Sequence, residues 1–172
     1  MADQNVATSS PTQTAILAAG CFWGVQFYLD QIPGVIKSEV GYTGGHTTEP
    51  TYEQVCGHDT GHAEAVKVEF DPSQISYKTL LKHFFRLHDP TQLNRQGPDV
   101  GDNYRSAIFY LNDQQKNQAE AGLQAAQSNY QQPIVTQITA AQPFYLAEDF
   151  HQKFTQRTGH GACHVGYQPI PA

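Results

Sequence analysis

The chain has 172 residues, 39% of them hydrophobic and 15% charged, and its 10 Lys plus Arg against 16 Asp plus Glu leave a net charge of −6. That length can bury one core without covalent staples, while the negative balance argues against nucleic acid, whose phosphates need concentrated positive charge. No apolar run reaches membrane-spanning length and the first residues lack the basic-then-apolar order of a secretory signal, so a cytoplasmic protein with no membrane partner is expected.

Residues 1–12 are rich in Ala, Ser, Thr, Gln and Asn with no periodic apolar face and read as a flexible tail. Thr14 to Ala18 is a short apolar run bounded by Gly20, a strand whose C-terminal end delivers Cys21. Val25, Tyr28, Leu29 and Ile32 then recur at helical spacing until Pro33-Gly34 stops the helix. From Val35 to Tyr42 the pattern alternates, with Ile36, Val40 and Tyr42 on one side and Lys37 and Glu39 on the other. Gly41 to Tyr52 is read as a loop.

The stretch from His62 to Phe70 is a strand in which Glu64 shares its parity with Val66, Val68 and Phe70. Asp71-Pro72 closes it. Ser76 caps a helix with a core-facing stripe of Leu80, Leu81, Phe84 and Phe85. Thr91 to Asn103 is a polar loop, and Ser106 to Leu111, apolar on both parities, is a central strand. Asn112 or Asp113 caps the next helix, with Ala119, Leu123, Ala126 and Tyr130 on one side and solvated glutamines elsewhere. Ile134 to Ala140 is a last strand, followed by a polar, aromatic segment from Phe144 to Phe154. Beyond about residue 157, glycines at 159, 161 and 166 surround Cys163 and predict a mobile end. No internal repeat or linker marks a second domain, so 13–172 reads as one. The order βαββαβαβ predicts an α+β two-layer sandwich, helices on a mainly antiparallel mixed sheet with a ferredoxin-like core.

Three cysteines, Cys21, Cys56 and Cys163, cannot all pair within one chain, and they read as reactive or structural thiols. Cys21, between a strand and a helix, lies near unpaired backbone N–H groups and the positive end of the helix dipole, which favour thiolate. A small buried cysteine beside two packing rings, Phe22 and Trp23, is an equal contender. Glu64, pointing with apolar side chains, is costly unless paired or neutral, and desolvation would make it a proton donor at neutral pH. A strand-end glutamate that bends out to water, or meets an arginine, is the plainer alternative. Cys56, in a less flexible setting, reads as structural.

Three chemistries compete. Cys56, His58 and His62 form one potential zinc group and His160, Cys163 and His164 another, but neither has the strong paired spacings, and no metal is expected. A cysteine hydrolase needs a histidine base beside Cys21, and no known hydrolase signature surrounds it. In thiol redox chemistry, Cys21 is oxidised by its substrate and a second thiol on a mobile segment condenses with it; Cys163 suits that role.

Gly20-Cys21-Phe22-Trp23-Gly24, then Gly41-Tyr42-Thr43-Gly44-Gly45, Pro50-Thr51-Tyr52, Gly61-His62-Ala63-Glu64-Ala65-Val66, His88-Asp89-Pro90-Thr91, Arg95-Gln96-Gly97 and Tyr104-Arg105-Ser106-Ala107, in that order, resemble the A-type peptide-methionine sulfoxide reductases. The resemblance implies a catalytic domain in which Cys21 attacks the sulfur of the S epimer of methionine sulfoxide, free or in proteins, while Glu64 protonates the oxygen. It implies that Tyr52 and Tyr104 hold that oxygen, that Asp99 lies at the site, and that Phe22 and Trp23 cradle the methyl group. The sulfenic acid left on Cys21 would form a disulfide with Cys163, for thioredoxin, or dithiothreitol, to reduce. No prosthetic cofactor is implied, and a monomer is expected. The chain departs from the family in having Pro98 before Asp99, and in its single late cysteine, where some members have two.

Overall fold

The structure, a computed structural model, describes residues 11–161. In chain order they form β1 (Gln13–Ala19), α1 (Phe22–Leu29), β2 (Val35–Thr43), α2 (Tyr52–Cys56), β3 (Ala63–Phe70), α3 (Tyr77–Arg86), a small hairpin of β4 (Arg95–Gln96) and β5 (Asp99–Val100), β6 (Ser106–Tyr110), α4 (Asp113–Gln127), β7 (Gln137–Ala140), β8 (Tyr145–Leu146) and α5 (Phe154–Thr158). Single 3-10 turns cover Asp102–Tyr104 and Asp149–His151. The main sheet has the order β7-β6-β1-β3-β2-β8. Only β6 and β7 pair in parallel; the other neighbours are antiparallel. This is the expected α+β arrangement of helices on a mixed, mainly antiparallel sheet.

The alternation along the strands decides the two faces. Leu17, Val66, Val68, Phe70, Val40 and Ile108 point to one side and pack with Phe22, Val25 and Leu29 of α1 and Leu80, Leu81 and Phe84 of α3. The other face carries Ala18, Ala63, Ala65 and Ala107 around Phe109, and these small side chains let Ala141 and Phe144 close over it. β1 runs through the centre, with Leu17 opposite Val66 on one neighbour and Ile108 on the other. Its last residues therefore emerge in the middle of the sheet edge, where Gly20 turns the chain into α1 at φ +102°, and a Cβ there would lie 2.9 Å from the Gln96 side chain.

Caps form where the sequence predicts them. Ser76 Oγ accepts from the Thr79 N–H at 3.0 Å, and Asn112 Oδ1 from the Gln115 N–H at 2.8 Å. Thr51 makes a capping box with Gln54, starting a short helix, α2, at the end of the stretch read as loop. Two expectations are corrected. Ile36 does not join Val40 and Tyr42, because a bulge between Val35 and Lys37 inserts an extra residue and leaves Ile36 56% exposed. The glutamines of α4 are not all a solvated face: buried Gln115 accepts from the Leu111 N–H and donates to the Thr14 carbonyl, and Gln127 binds the backbone of Gln132 and Ile134.

Gln26 ties the C-terminal region down. Fully buried on α1, it donates to the backbone and hydroxyl of Ser38 on β2 and accepts from the Lys153 N–H at 2.8 Å. Lys153, at φ +58°, adds an ion pair to Asp30 at 2.6 Å. An apolar replacement of Gln26 leaves buried donors and acceptors without partners. Gln26→Leu is therefore expected to lower unfolding stability by about 2 kcal/mol, read as a reduced urea midpoint; an unchanged midpoint would remove this junction from the account.

Candidate active site

Cys21 occupies the N-cap of α1, where no side chain caps the helix. One of the first-turn amides left over finds a different acceptor: the Phe22 N–H donates to Glu64 Oε1 at 3.2 Å. Glu64, second residue of β3 and paired with Tyr42 of β2, is 1% exposed and lies on the helix-facing side of the sheet, as its parity predicts. The carboxyl is thus fastened to the residue that follows Cys21. Cys21 itself is partly exposed and carries a thiol.

Two phenols lie within electrostatic reach of Glu64. Burial holds the Tyr104 hydroxyl above its ordinary pKa, and the negative charges of Glu64, Cys56, Asp99 and Cys21 push it further in that order. Tyr52 is raised by burial, by its hydrogen bond to Cys56 and by the ionisable side chains of Glu64, Cys56 and Tyr104 around it. Both therefore keep their protons at neutral pH and remain donors. Tyr104 lies within electrostatic reach of Glu64, Asp99 and Cys21, and Tyr52 within reach of Glu64 and Tyr104. Asp99 arrives there on β5, paired with Gln96 of β4. That hairpin is secured by Gln96, whose amide donates to the Asp89 carbonyl at 2.8 Å and accepts from the Asp89 N–H at 3.0 Å while its stem packs on Gly20.

The aromatic pair divides. Phe22 is buried at 1% exposure against Tyr42 and His151, with centroid separations of 5.7 and 5.3 Å. Trp23 is only partly buried, stacks on Phe154 at 4.0 Å and donates its indole N–H to His151 Nδ1 at 2.9 Å. Gly161, the last described residue, lies so close to Trp23 that a Cβ would come within 2.9 Å of its Cε3. Cys163 lies outside the described residues.

Four residues at this site went unassigned in the sequence reading. Tyr42, read as core, is buried but sends its hydroxyl to Glu148 Oε1 at 2.9 Å. Glu148 Oε2 accepts from the Tyr52 N–H at 2.9 Å, and those bonds hold the Glu148 carboxyl below its ordinary range although burial opposes them. His151 is fully buried, with the Tyr52 ring 4.4 Å away. The only signal for Glu148 and His151 was an acid and an imidazole three residues apart in a segment without an apolar face. Cys56, read as structural, sits one turn after Tyr52 and accepts a hydrogen bond from its hydroxyl; burial raises its thiol pKa, the Tyr52 bond opposes that, and Glu64 and Glu148 add to it. A raised pKa keeps it a thiol rather than a nucleophilic thiolate.

His62, one of the candidate metal ligands, has other work. Gly45 N–H donates to His62 Nδ1 at 3.0 Å, so Nε2 carries the proton and donates it to the Thr47 carbonyl at 2.8 Å. Both ring nitrogens serve the loop, which also needs Gly45, because a Cβ there would meet the Thr60 carbonyl at 2.3 Å. Among the described residues no group of three His, Cys, Asp or Glu is arranged to hold a metal, and no helix is long and apolar enough to cross a membrane. A polar recess of about 590 Å³ beside Arg105 and Phe109 contains none of Cys21, Glu64 and Trp23.

Known proteins similar to this chain are numerous. A peptide methionine sulfoxide reductase from Methanosarcina acetivorans, MsrA, is 52% identical over 149 residues, covering 86% of this chain and 79% of its own. The structure of Mxr1 from Saccharomyces cerevisiae in reduced form superposes with a TM-score of 0.85 at 31% identity, covering 94% of this chain and 96% of that one. Mxr1 in complex with Trx2 shares the fold at a TM-score of 0.61 and 24% identity, over 86% of this chain and 88% of that one. The sequence profile described as peptide methionine sulfoxide reductase matches residues 13–171, so the chain belongs to the peptide methionine sulfoxide reductase family.

Proposed function

We propose that this chain reduces the S epimer of methionine sulfoxide, free or in proteins, with Cys21 as nucleophile and Glu64 as proton donor. The observation that carries the reading is the bond from the Phe22 N–H to Glu64, which sets a buried carboxyl beside the thiol at the head of α1. The Cys21 thiolate attacks the sulfoxide sulfur, Glu64 gives its proton to the oxygen, and transfer of that oxygen leaves methionine and a sulfenic acid on Cys21. Tyr52 and Tyr104, held as neutral phenols, donate hydrogen bonds to the oxygen as its charge grows, with Asp99 alongside Tyr104. Trp23, backed by Phe22, forms the apolar wall for the methyl group, so that one epimer presents its sulfur to Cys21.

The Cys163 thiol then condenses with the sulfenic acid to give a Cys21–Cys163 disulfide and water. The contact of Gly161 with Trp23 supports this role, since it brings the chain to the site two positions before Cys163. A dithiol of the thioredoxin class reduces the disulfide and is oxidised in its place; the yeast relative's complex with Trx2 supports that partner. No prosthetic group enters these steps. The inner strand order β6-β1-β3-β2, with α1 and α3 in the crossovers, supports a ferredoxin-like core beneath the site.

With dithiothreitol and a mixture of sulfoxide epimers, chiral chromatography is expected to show loss of the S epimer alone; equal consumption of both, or of neither, rejects the reading. Glu64→Gln, whose amide still donates a hydrogen bond, is expected to keep more activity than Glu64→Ala, which should lose about 10²-fold or more in kcat/KM. Equal rates in the two variants and the parent would take Glu64 out of the mechanism.

A further inference from the structure

We propose that Glu148 and His151 are positioning residues for the methyl-binding wall, His151 holding the Trp23 indole by its N–H and Glu148 locking Tyr52 and Tyr42 around it. This rests on the function proposed above. An indole nitrogen only donates, so the 2.9 Å bond from Trp23 Nε1 requires a bare lone pair on His151 Nδ1 and places the ring proton on Nε2. Nε2 lies 3.9 Å from Glu148 Oε1, the oxygen that also accepts from the Tyr42 hydroxyl at 2.9 Å. Glu148 Oε2 takes the Tyr52 N–H at 2.9 Å. One acid and one imidazole therefore join α1, β2 and the start of α2.

The imidazole has little room to turn. It is fully buried, with the rings of Phe22, Tyr52 and Phe150 at centroid distances of 5.3, 4.4 and 3.9 Å. Trp23 in turn has Phe154 stacked on it at 4.0 Å, so loss of its N–H acceptor must be met by a tilt of the indole or by a buried donor without a partner. The first displaces the apolar wall and the second removes what holds the indole in place, while neither touches the bond that sets Glu64 beside Cys21. An interaction made equally in ground and transition states changes KM rather than kcat.

Protonation of His151 would have the same effect, because both ring nitrogens would then donate and Trp23 would face a donor. The ionisable groups around the ring are Glu148 and Asp149 on its own segment, Tyr42 on β2, and Tyr52 and Cys56 on α2; the Phe22 and Trp23 side chains of α1 carry no charge. Burial outweighs the attraction of Glu148 and keeps the His151 pKa below 6.5. The neutral form is therefore the one the fold selects, and it is lost only as the pH falls through that lowered pKa.

Trp23 is the only tryptophan in the chain, so its emission reports this bond directly. In the parent protein, Trp23 fluorescence is expected to change with a midpoint below pH 6.5. His151→Asn keeps an acceptor near the Nδ1 position but does not titrate; it should show near-parental KM and no such transition. His151→Leu should raise KM for methionine sulfoxide about tenfold, with kcat within about twofold. A transition that persists unchanged in His151→Asn, or a parental KM in His151→Leu, overturns the proposal. If His151→Leu does not fold, the parent and His151→Asn decide alone. Absence of turnover in every variant, with the fluorescence pattern as expected, would overturn the proposed function and leave the positioning of Trp23 standing.

Discussion

The bond between the Phe22 amide and the Glu64 carboxyl fixes the start of α1 against the start of β3. An α-helix leaves its first amides without partners, and Cys21 at the N-cap has no side-chain oxygen with which to satisfy them. A buried carboxyl taking one of those amides serves both elements: the helix gains an acceptor at its positive end, and the acid is oriented beside the thiol. The fold supports this meeting from below. β1 delivers Cys21 from the centre of the sheet, its neighbour β3 delivers Glu64, and Gly20 makes the turn that brings the two ends together.

A second carboxyl organises the periphery. Glu148 comes from a segment with only two residues of strand, yet it binds the Tyr42 hydroxyl and the Tyr52 amide, and its neighbour His151 holds the Trp23 indole. Gln26 and Lys153 clamp that segment to α1 and β2 from the other side. The mostly irregular segment that carries Glu148 and His151 can therefore present a defined aromatic surface, because hydrogen bonds and ring contacts tie it to α1, β2 and α2. The proposed chemistry asks for such a division of labour: a polar interior for the sulfoxide oxygen and an apolar wall for the methyl group.

Much of the central site is legible from periodicity. Glu64 shares parity with Val66, Val68 and Phe70, and a period of two is a strong constraint on a strand covered by helices. Cys21 stands between an apolar run and a helical repeat. The failures have physical reasons. Ile36 breaks its alternation through a bulge, which adds a residue without any change of residue type. Gln115 and Gln127 look like solvated surface, but their amides bind backbone groups, Gln115 reaching as far as Thr14 on β1 and Gln127 the turn that follows its own helix, and composition cannot register a partner. Glu148 and His151 depend on the same kind of long-range bond, and Cys56 belongs to the site only because α2 begins at Tyr52. The motifs around His62, His88 and Gln96 are legible by resemblance; their physical sense, as clamps on the loops that carry the site, comes from bonds such as those of Gln96 to Asp89.

The central claim is that Cys21 takes the oxygen from the substrate while Glu64 assists. The most direct measurement is a single turnover in a Cys163→Ser chain, given one equivalent of the S epimer of methionine sulfoxide and no reductant, with a dione probe for sulfenic acid and peptide mass spectrometry to locate it. The account predicts close to one methionine released per chain and one probe adduct, on Cys21. Methionine released without an adduct, or an adduct on Cys56 in place of Cys21, would contradict it.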